Sequence, residues 1–403
     1  MEELEGGLTL VEGIKVSSLN CGLKNDRKDL ALIFSEKLTV ASGVFTKNQF
    51  AAPSVTLAKE RLKINGKLQT IIINSGNANT CTGPIGEQDN KDIIKEVASK
   101  LGIDAEYVLM ASTGVIGRRL PVDKIKKAIP ELVVNLGADS IELAKAIMTT
   151  DTFPKQKAVK FNFNGRDIVV AGVAKGSGMI YPNMATMLCF IVTNISINYK
   201  CLTDCLKKSV DKTFNMISVD GDTSPNDMVI AMANGTSGNE MINDASVKDN
   251  LLLQEFQKAL DKVTRDLATM IVKDGEGATK LIEITVNKAK NFEEAKKIAF
   301  TVANSNLVKT AMFGNDPNWG RIVSAIGNAG INLDTNKVKV YINDNLVFGE
   351  GIGVVESFEK LRTIFGNNEI FIYIDIGVGE GQATVWSSDL SYEYVRINAD
   401  YTT

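Results

Sequence analysis

Between residues 89 and 101, apolar side chains recur at Ile93, Ile94, Val97, Ala98 and Leu101, the spacing of a helix that buries one face, and Gly102 suits its left-handed cap. Two further helical patterns follow at 121–136 and 138–149. The period then changes: Lys157–Phe163 and Asp167–Ala174 flank Asn164-Gly165, the pair that suits a type I′ turn, so a β-hairpin is expected. Met187–Val192 is a short, continuously apolar run of strand length. Helices are predicted at 199–214, 247–273 and 293–312, and strands at 227–233, 280–287, 337–342, 369–376 and 383–387. This alternation predicts a mixed α/β fold, with no internal repeat and no low-complexity linker to mark a domain boundary.

Several segments interrupt these elements. Gly377-Val378-Gly379-Glu380-Gly381 follows a strand but precedes another strand, so it lacks the helix N-terminus that holds phosphate, and a tight turn is expected. Asn74–Asn79 and Asp220–Asp227 are dense in turn formers. They read equally well as surface loops or as strand-end segments that carry binding groups.

A net charge of −3 offers no basic surface for nucleic acid. No stretch approaches the roughly 20 apolar residues of a membrane span, and the acidic start Met1-Glu2-Glu3-Leu4-Glu5 lacks the basic flank of a secretory signal, so a cytoplasmic protein is expected. The cysteines, Cys21, Cys81, Cys189, Cys201 and Cys205, are odd in number and form no CxxC pair. They read as reduced structural thiols, with Cys201 and Cys205 on the core face of one helix. The chain has no histidine. That removes Ser-His-Asp and Cys-His catalysis and imidazole zinc sites, leaving a carboxylate, a lysine or a free α-amine as base.

The run Lys175-Gly176-Ser177-Gly178-Met179-Ile180-Tyr181-Pro182-Asn183-Met184-Ala185-Thr186-Met187-Leu188 sets chain breakers and a hydroxyl residue at the start of a buried strand. Its composition permits an N-to-O acyl shift at Ala185–Thr186, although an ordinary loop running into a strand has a similar composition. The run resembles the cleavage motif of the ornithine acetyltransferases, also called the bifunctional arginine-biosynthesis acetyltransferases. Similar segments follow the family's order: Gly43–Asn48, Asn74–Asn79, Ser112–Gly117, Asp274–Lys280, Asp316–Arg321 and the tail Asn398–Thr403. The resemblance spans nearly the whole chain.

It implies self-cleavage before Thr186, giving an α chain (1–185) and a β chain (186–403) that stay associated, in an α2β2 assembly. It also implies two intertwined lobes in a fold shared with self-processing β-aminopeptidases. By the same resemblance Thr186 is the nucleophile that carries acetyl from N-acetylornithine to glutamate, Thr113 and Gly114 form the oxyanion hole, and Thr152, Lys175, Thr186, Glu276, Asn398 and Thr403 contact substrate. No metal or bound cofactor is implied, though acetyl-CoA serves some members as a co-substrate. A threonine α-amine titrates near about 8, so it supplies a base where histidine is missing. A common α-carboxylate suits Lys175, and an ornithine ammonium suits Glu276. Two other readings stay open: a self-cleaving aminopeptidase or amidase on the related fold, and an amino-acid-binding protein with a vestigial processing site.

Overall fold

The computed structural model describes residues 1–181, 187–243, 251–354 and 358–400. Pro182–Thr186, 244–250, 355–357 and 401–403 lie outside the described residues, and with them Ala185, Thr186 and Thr403.

The first half of the chain builds one large sheet. Its strands are β1 (Glu2–Leu4), β2 (Ile14–Leu19), the long β3 (Leu30–Phe45), β4 (Lys67–Asn77), β5 (Val108–Val115), β6 (Lys155–Phe163) and β7 (Arg166–Lys175), joined by β8 (Leu188–Thr193) and, after the short β9 (Ile217–Ser218), by β10 (Met228–Ala233). The order is β1-β6-β7-β8-β10-β3-β4-β5, with β2 paired to β3. The remaining strands are β11 (Leu281–Ala289), β12 (Lys339–Ile342), β13 (Asn345–Gly349), β14 (Ile352–Gly353), β15 (Glu369–Asp375) and β16 (Gly381–Ser388). With β9 they make a second sheet, ordered β14-β13-β12-β15-β11-β16-β9. Because β9 joins the second sheet and β10 returns to the first, the chain threads between the two. This is the mixed α/β architecture the alternating pattern predicts.

The β6–β7 hairpin forms as expected: Asn164 and Gly165 take φ of +50° and +79°, as a type I′ turn requires. All six residues of β8 are buried. Cys189 and Ile191 face one apolar cluster, while Leu188, Phe190 and Val192 face another. Cover on both faces explains why the run is continuously apolar rather than alternating.

The helices are α1 (Pro53–Asn65), α2 (Gly83–Leu101), α3 (Val122–Val134), α4 (Ser140–Ala146), α5 (Tyr199–Lys212), α6 (Leu251–Lys273), α7 (Phe292–Ala303), α8 (Asn306–Phe313), α9 (Trp319–Gly327), α10 (Phe358–Phe365) and α11 (Tyr392–Asp400). α2 ends at Gly102 with φ +67°, the predicted left-handed cap. The helix expected over 293–312 is two helices. Ser305 restarts the chain as the N-cap of α8, its hydroxyl accepting from Val308 N–H. Cys201 and Cys205 lie on the buried face of α5, whereas Cys81 is exposed and Cys21 half-buried. Gly377–Gly381 links β15 to β16, as a turn should. Among the described residues no helix is long and apolar enough to cross a membrane.

Candidate active site

Segments from several distant parts of the chain converge on a cavity of ≈ 80 Å³ lined by Thr113, Gly114, Thr149, Lys175, Gly178, Ser224, Asn226, Glu276 and Asn398, among others. Thr113 and Gly114 sit at the C-terminal end of β5, where it runs parallel to β4. Gly114 has φ +128°, and a Cβ there would lie 2.4 Å from the Gly76 carbonyl carbon, so only glycine lets the two strands approach.

Lys175 ends β7 and is 4% exposed. Its ammonium donates to Thr149 Oγ1 at 2.8 Å and to Thr113 Oγ1 at 3.2 Å. Among the described residues it forms no ion pair. Burial lowers its pKa, with Asp151 opposing that shift. A buried cation whose hydrogen-bond partners among the described residues are neutral hydroxyls is poised for an incoming anion.

Glu276 faces the cavity from the loop after α6. Its carboxylate accepts from Asn398 Nδ2 at 2.7 Å, and Asn398 also donates to the Tyr394 carbonyl within α11. A Cβ on Gly178 would fall 2.3–2.4 Å from this carboxylate, so the glycine makes room for it. Lys175 and Glu276 thus bring opposite charges to one small cavity.

Thr152 stands apart. Its backbone N–H and hydroxyl both donate to Asp274, and it lines a wider cleft of ≈ 750 Å³ that shares Thr149 and Thr150 with the cavity. A larger open groove of ≈ 1200 Å³ runs along α7 and α9. It gathers surface lysines, with none of the convergent polar groups found around Lys175.

Behind the cavity lies a group that sequence reasoning did not single out. Lys155, with no exposed surface, pairs with Asp151 at 2.7 Å and Asp274 at 2.5 Å. Asp151 also accepts from Thr149 N–H and Gly176 N–H. Burial pushes Asp151 up, but Lys155 and Lys175 outweigh it and hold the carboxyl well below its usual range. The cluster fixes the peptide after Lys175 and the loop before Glu276 to a common centre.

Asn74–Asn79 and the second half of Asp220–Asp227 are not surface loops, whereas Asp222 is exposed. Asn74, Asn79 and Asn226 are buried. Asn226 Nδ2 donates to the carbonyls of Ala78 and Ser112, its Oδ1 accepts from Thr80, and Ser112 donates to Asn74. The network satisfies the backbone at the ends of β4 and β5 and braces Thr113. Next to it, Asp227 is buried and accepts from Met187 N–H at 2.8 Å, while its other oxygen has no partner among the described residues. Burial raises its pKa well above the carboxylate norm. Tyr181 packs edge-on against Phe300, ring centroids 5.6 Å apart.

The ArgJ family profile matches residues 15–403. The chain belongs to the ArgJ family. Among relatives in the ArgJ family, an arginine biosynthesis bifunctional protein of Caldanaerobacter subterraneus is 47% identical over the full length of both chains. A glutamate N-acetyltransferase of Methanocaldococcus jannaschii is 46% identical, again over both full lengths. The crystal structure of an ArgJ protein from Bacillus halodurans is 38% identical with a TM-score of 0.50, and 98% of that chain is covered by 53% of this one.

Proposed function

We propose that this ArgJ-family chain is a glutamate N-acetyltransferase that moves acetyl from N-acetylornithine to glutamate through an ester on Thr186. The names of its full-length relatives support the reaction class. The observation that carries the substrate reading is Lys175: a buried ammonium without an ion pair among the described residues, beside Thr113 and sharing its cavity with Glu276. Donor and acceptor share an α-amino-acid carboxylate, and Lys175 is the group to hold it, with Asn398 and Thr403 assisting. Glu276 receives the ornithine ammonium. Thr152 positions the Asp274 side of the site.

The reaction starts after Ala185–Thr186 is cut, which frees the Thr186 α-amine. That amine takes the hydroxyl proton as Thr186 Oγ attacks the acetyl carbonyl, and Thr113 with Gly114 N–H receives the oxyanion. The amide C–N bond breaks, ornithine takes the proton on its leaving nitrogen, and acetyl-Thr186 remains. Glutamate then attacks the ester with its α-amine. Thr186 Oγ leaves, regains a proton, and N-acetylglutamate departs. No metal or resident cofactor enters these steps, and acetyl-CoA fits as a second donor to the same ester. Cleavage is supported by the Bacillus halodurans chain, matched almost whole by about half of this one, the share that residues 186–403, 218 of 403, would hold. We place the enzyme in the cytoplasm as two αβ pairs.

Initial rates measured across both substrates should give parallel double-reciprocal lines. Intersecting lines would show that both substrates must be bound together, against an acetyl-enzyme.

A further inference from the structure

On the far side of the cavity wall formed by Gly178 and Met179 lies a carboxylate with an unusual set of partners. Asp220 accepts from Met179 N–H at 2.6 Å and from Ile180 N–H at 2.8 Å. Two successive backbone donors wrapping one carboxylate form an anion nest. Met179 has φ +57°, a left-handed conformation a non-glycine residue holds only when its surroundings compensate. Ile180 is pinned again through its carbonyl, which accepts from Val219 N–H at 2.8 Å. The same Asp220 carboxylate accepts from the Tyr394 hydroxyl at 3.4 Å. Tyr394 lies on α11, whose Asn398 is bonded to Glu276. Asp220 therefore joins the segment leading toward Thr186 to the helix that braces the opposite charge of the cavity.

We propose that Asp220 is a positioning residue for both chain cleavage and acetyl transfer: its carboxylate holds the 178–180 backbone in register with α11. The proposal rests on the reading of Thr186 given above. In a cleaved molecule Met179 and Ile180 belong to the first fragment, and Asp220 and Tyr394 to the second. The clamp spans the cut.

Burial raises the Asp220 carboxyl to about 6, against the pull of its backbone donors. The charged and titratable groups facing it are Asp222 on its own loop, Tyr394 on α11 with Glu276 beyond it, and Lys309 on α8, whose ammonium senses Asp220. Cleavage precedes any free Thr186 amine, so its pH dependence is not masked by that amine.

The test is cell-free synthesis of the full chain, with cleavage followed on denaturing gels in buffers on either side of pH 6. Wild type, Asp220→Asn and Thr186→Ala are run together, and KM and kcat are measured on the processed proteins. Asp220→Asn replaces one acceptor oxygen with an NH2 group facing a backbone donor. It should slow cleavage at neutral pH at least about ten-fold, the loss expected for a hydrogen bond to a charged group. Wild-type cleavage should slow as pH falls through about 6, while Asp220→Asn shows no such step. A wild-type rate in Asp220→Asn overturns the assignment. If that variant does not fold, a flat wild-type profile across pH 6 overturns it equally. A Thr186→Ala chain still cut at the same bond refutes the Thr186 reading and the proposal with it. An intact Thr186→Ala chain beside a fully active Asp220→Asn refutes the role of Asp220 alone.

Discussion

One methyl group at position 178 tests the site at its finest grain. Gly178 does not need a left-handed backbone; it needs the space that the Glu276 carboxylate occupies. Gly178→Ala should fold with little change in melting temperature, yet displace Glu276 and lower kcat/KM by about 100-fold, as a misplacement near 1 Å can. Unchanged kcat/KM would mean that Glu276 is not held where the reaction needs it. Lys175→Ala should weaken binding of both N-acetylornithine and glutamate by about 2–5 kcal/mol, because each loses the partner of its α-carboxylate. Glu276→Ala should injure the ornithine half-reaction more than the glutamate half. Equal, negligible effects in half-reaction assays would reject this division of labour. At this scale the sequence was partly legible. Thr113, Gly114, Lys175, Glu276 and Asn398, named from the family resemblance, line one cavity. Asp151 and Lys155 were not picked out, and Asp220 only as the start of a turn-forming segment, because a buried lysine or a nested aspartate looks like any charged residue until its neighbours are known.

Among the elements, the ends of β6 and β7 and the loop after α6 are tied together by Lys155 between Asp151 and Asp274. Removing the cation leaves two buried carboxylates side by side, so Lys155→Ala should cost about 3–5 kcal/mol. The pH dependence follows in sign. In wild type the Asp151 carboxyl is held below its unfolded value, so its stabilisation is present above that value and lost as pH falls through the lowered one. Without Lys155 the carboxylates gain from protonation, and the deficit should narrow on acidification. Thermal unfolding of both proteins across the carboxylate range checks this; a deficit that does not change with pH would mean the cost is packing alone. Local elements were legible where one short-range signal fixes them. Asn164-Gly165 marked its hairpin, Gly102 its cap and the apolar run its strand β8. The break between α7 and α8 was missed because apolar spacing carries across it, and only the Ser305 cap reveals the restart.

For the whole molecule, the proposed cut separates β7 from β8, adjacent antiparallel strands paired from Val170–Thr193 to Lys175–Leu188. β8 in turn pairs in parallel with β10, which pairs with β3. Fragments 1–185 and 186–403 would then share one sheet, and they should co-elute in native buffer and part only in denaturant. Elution as two separate species would contradict that architecture. The resemblance implies intertwined lobes, but the strand order that interleaves them was not legible in the sequence, since it depends on contacts far apart along the chain. The most direct measurement is the intact mass of the protein alone, with N-acetylornithine, and then with glutamate. The account predicts two polypeptides meeting at Ala185–Thr186, one added acetyl on Thr186 of the second, and its loss on adding glutamate as N-acetylglutamate appears. A single uncut chain that transfers acetyl at full rate, or transfer with no acetylated fragment at any time, would contradict it.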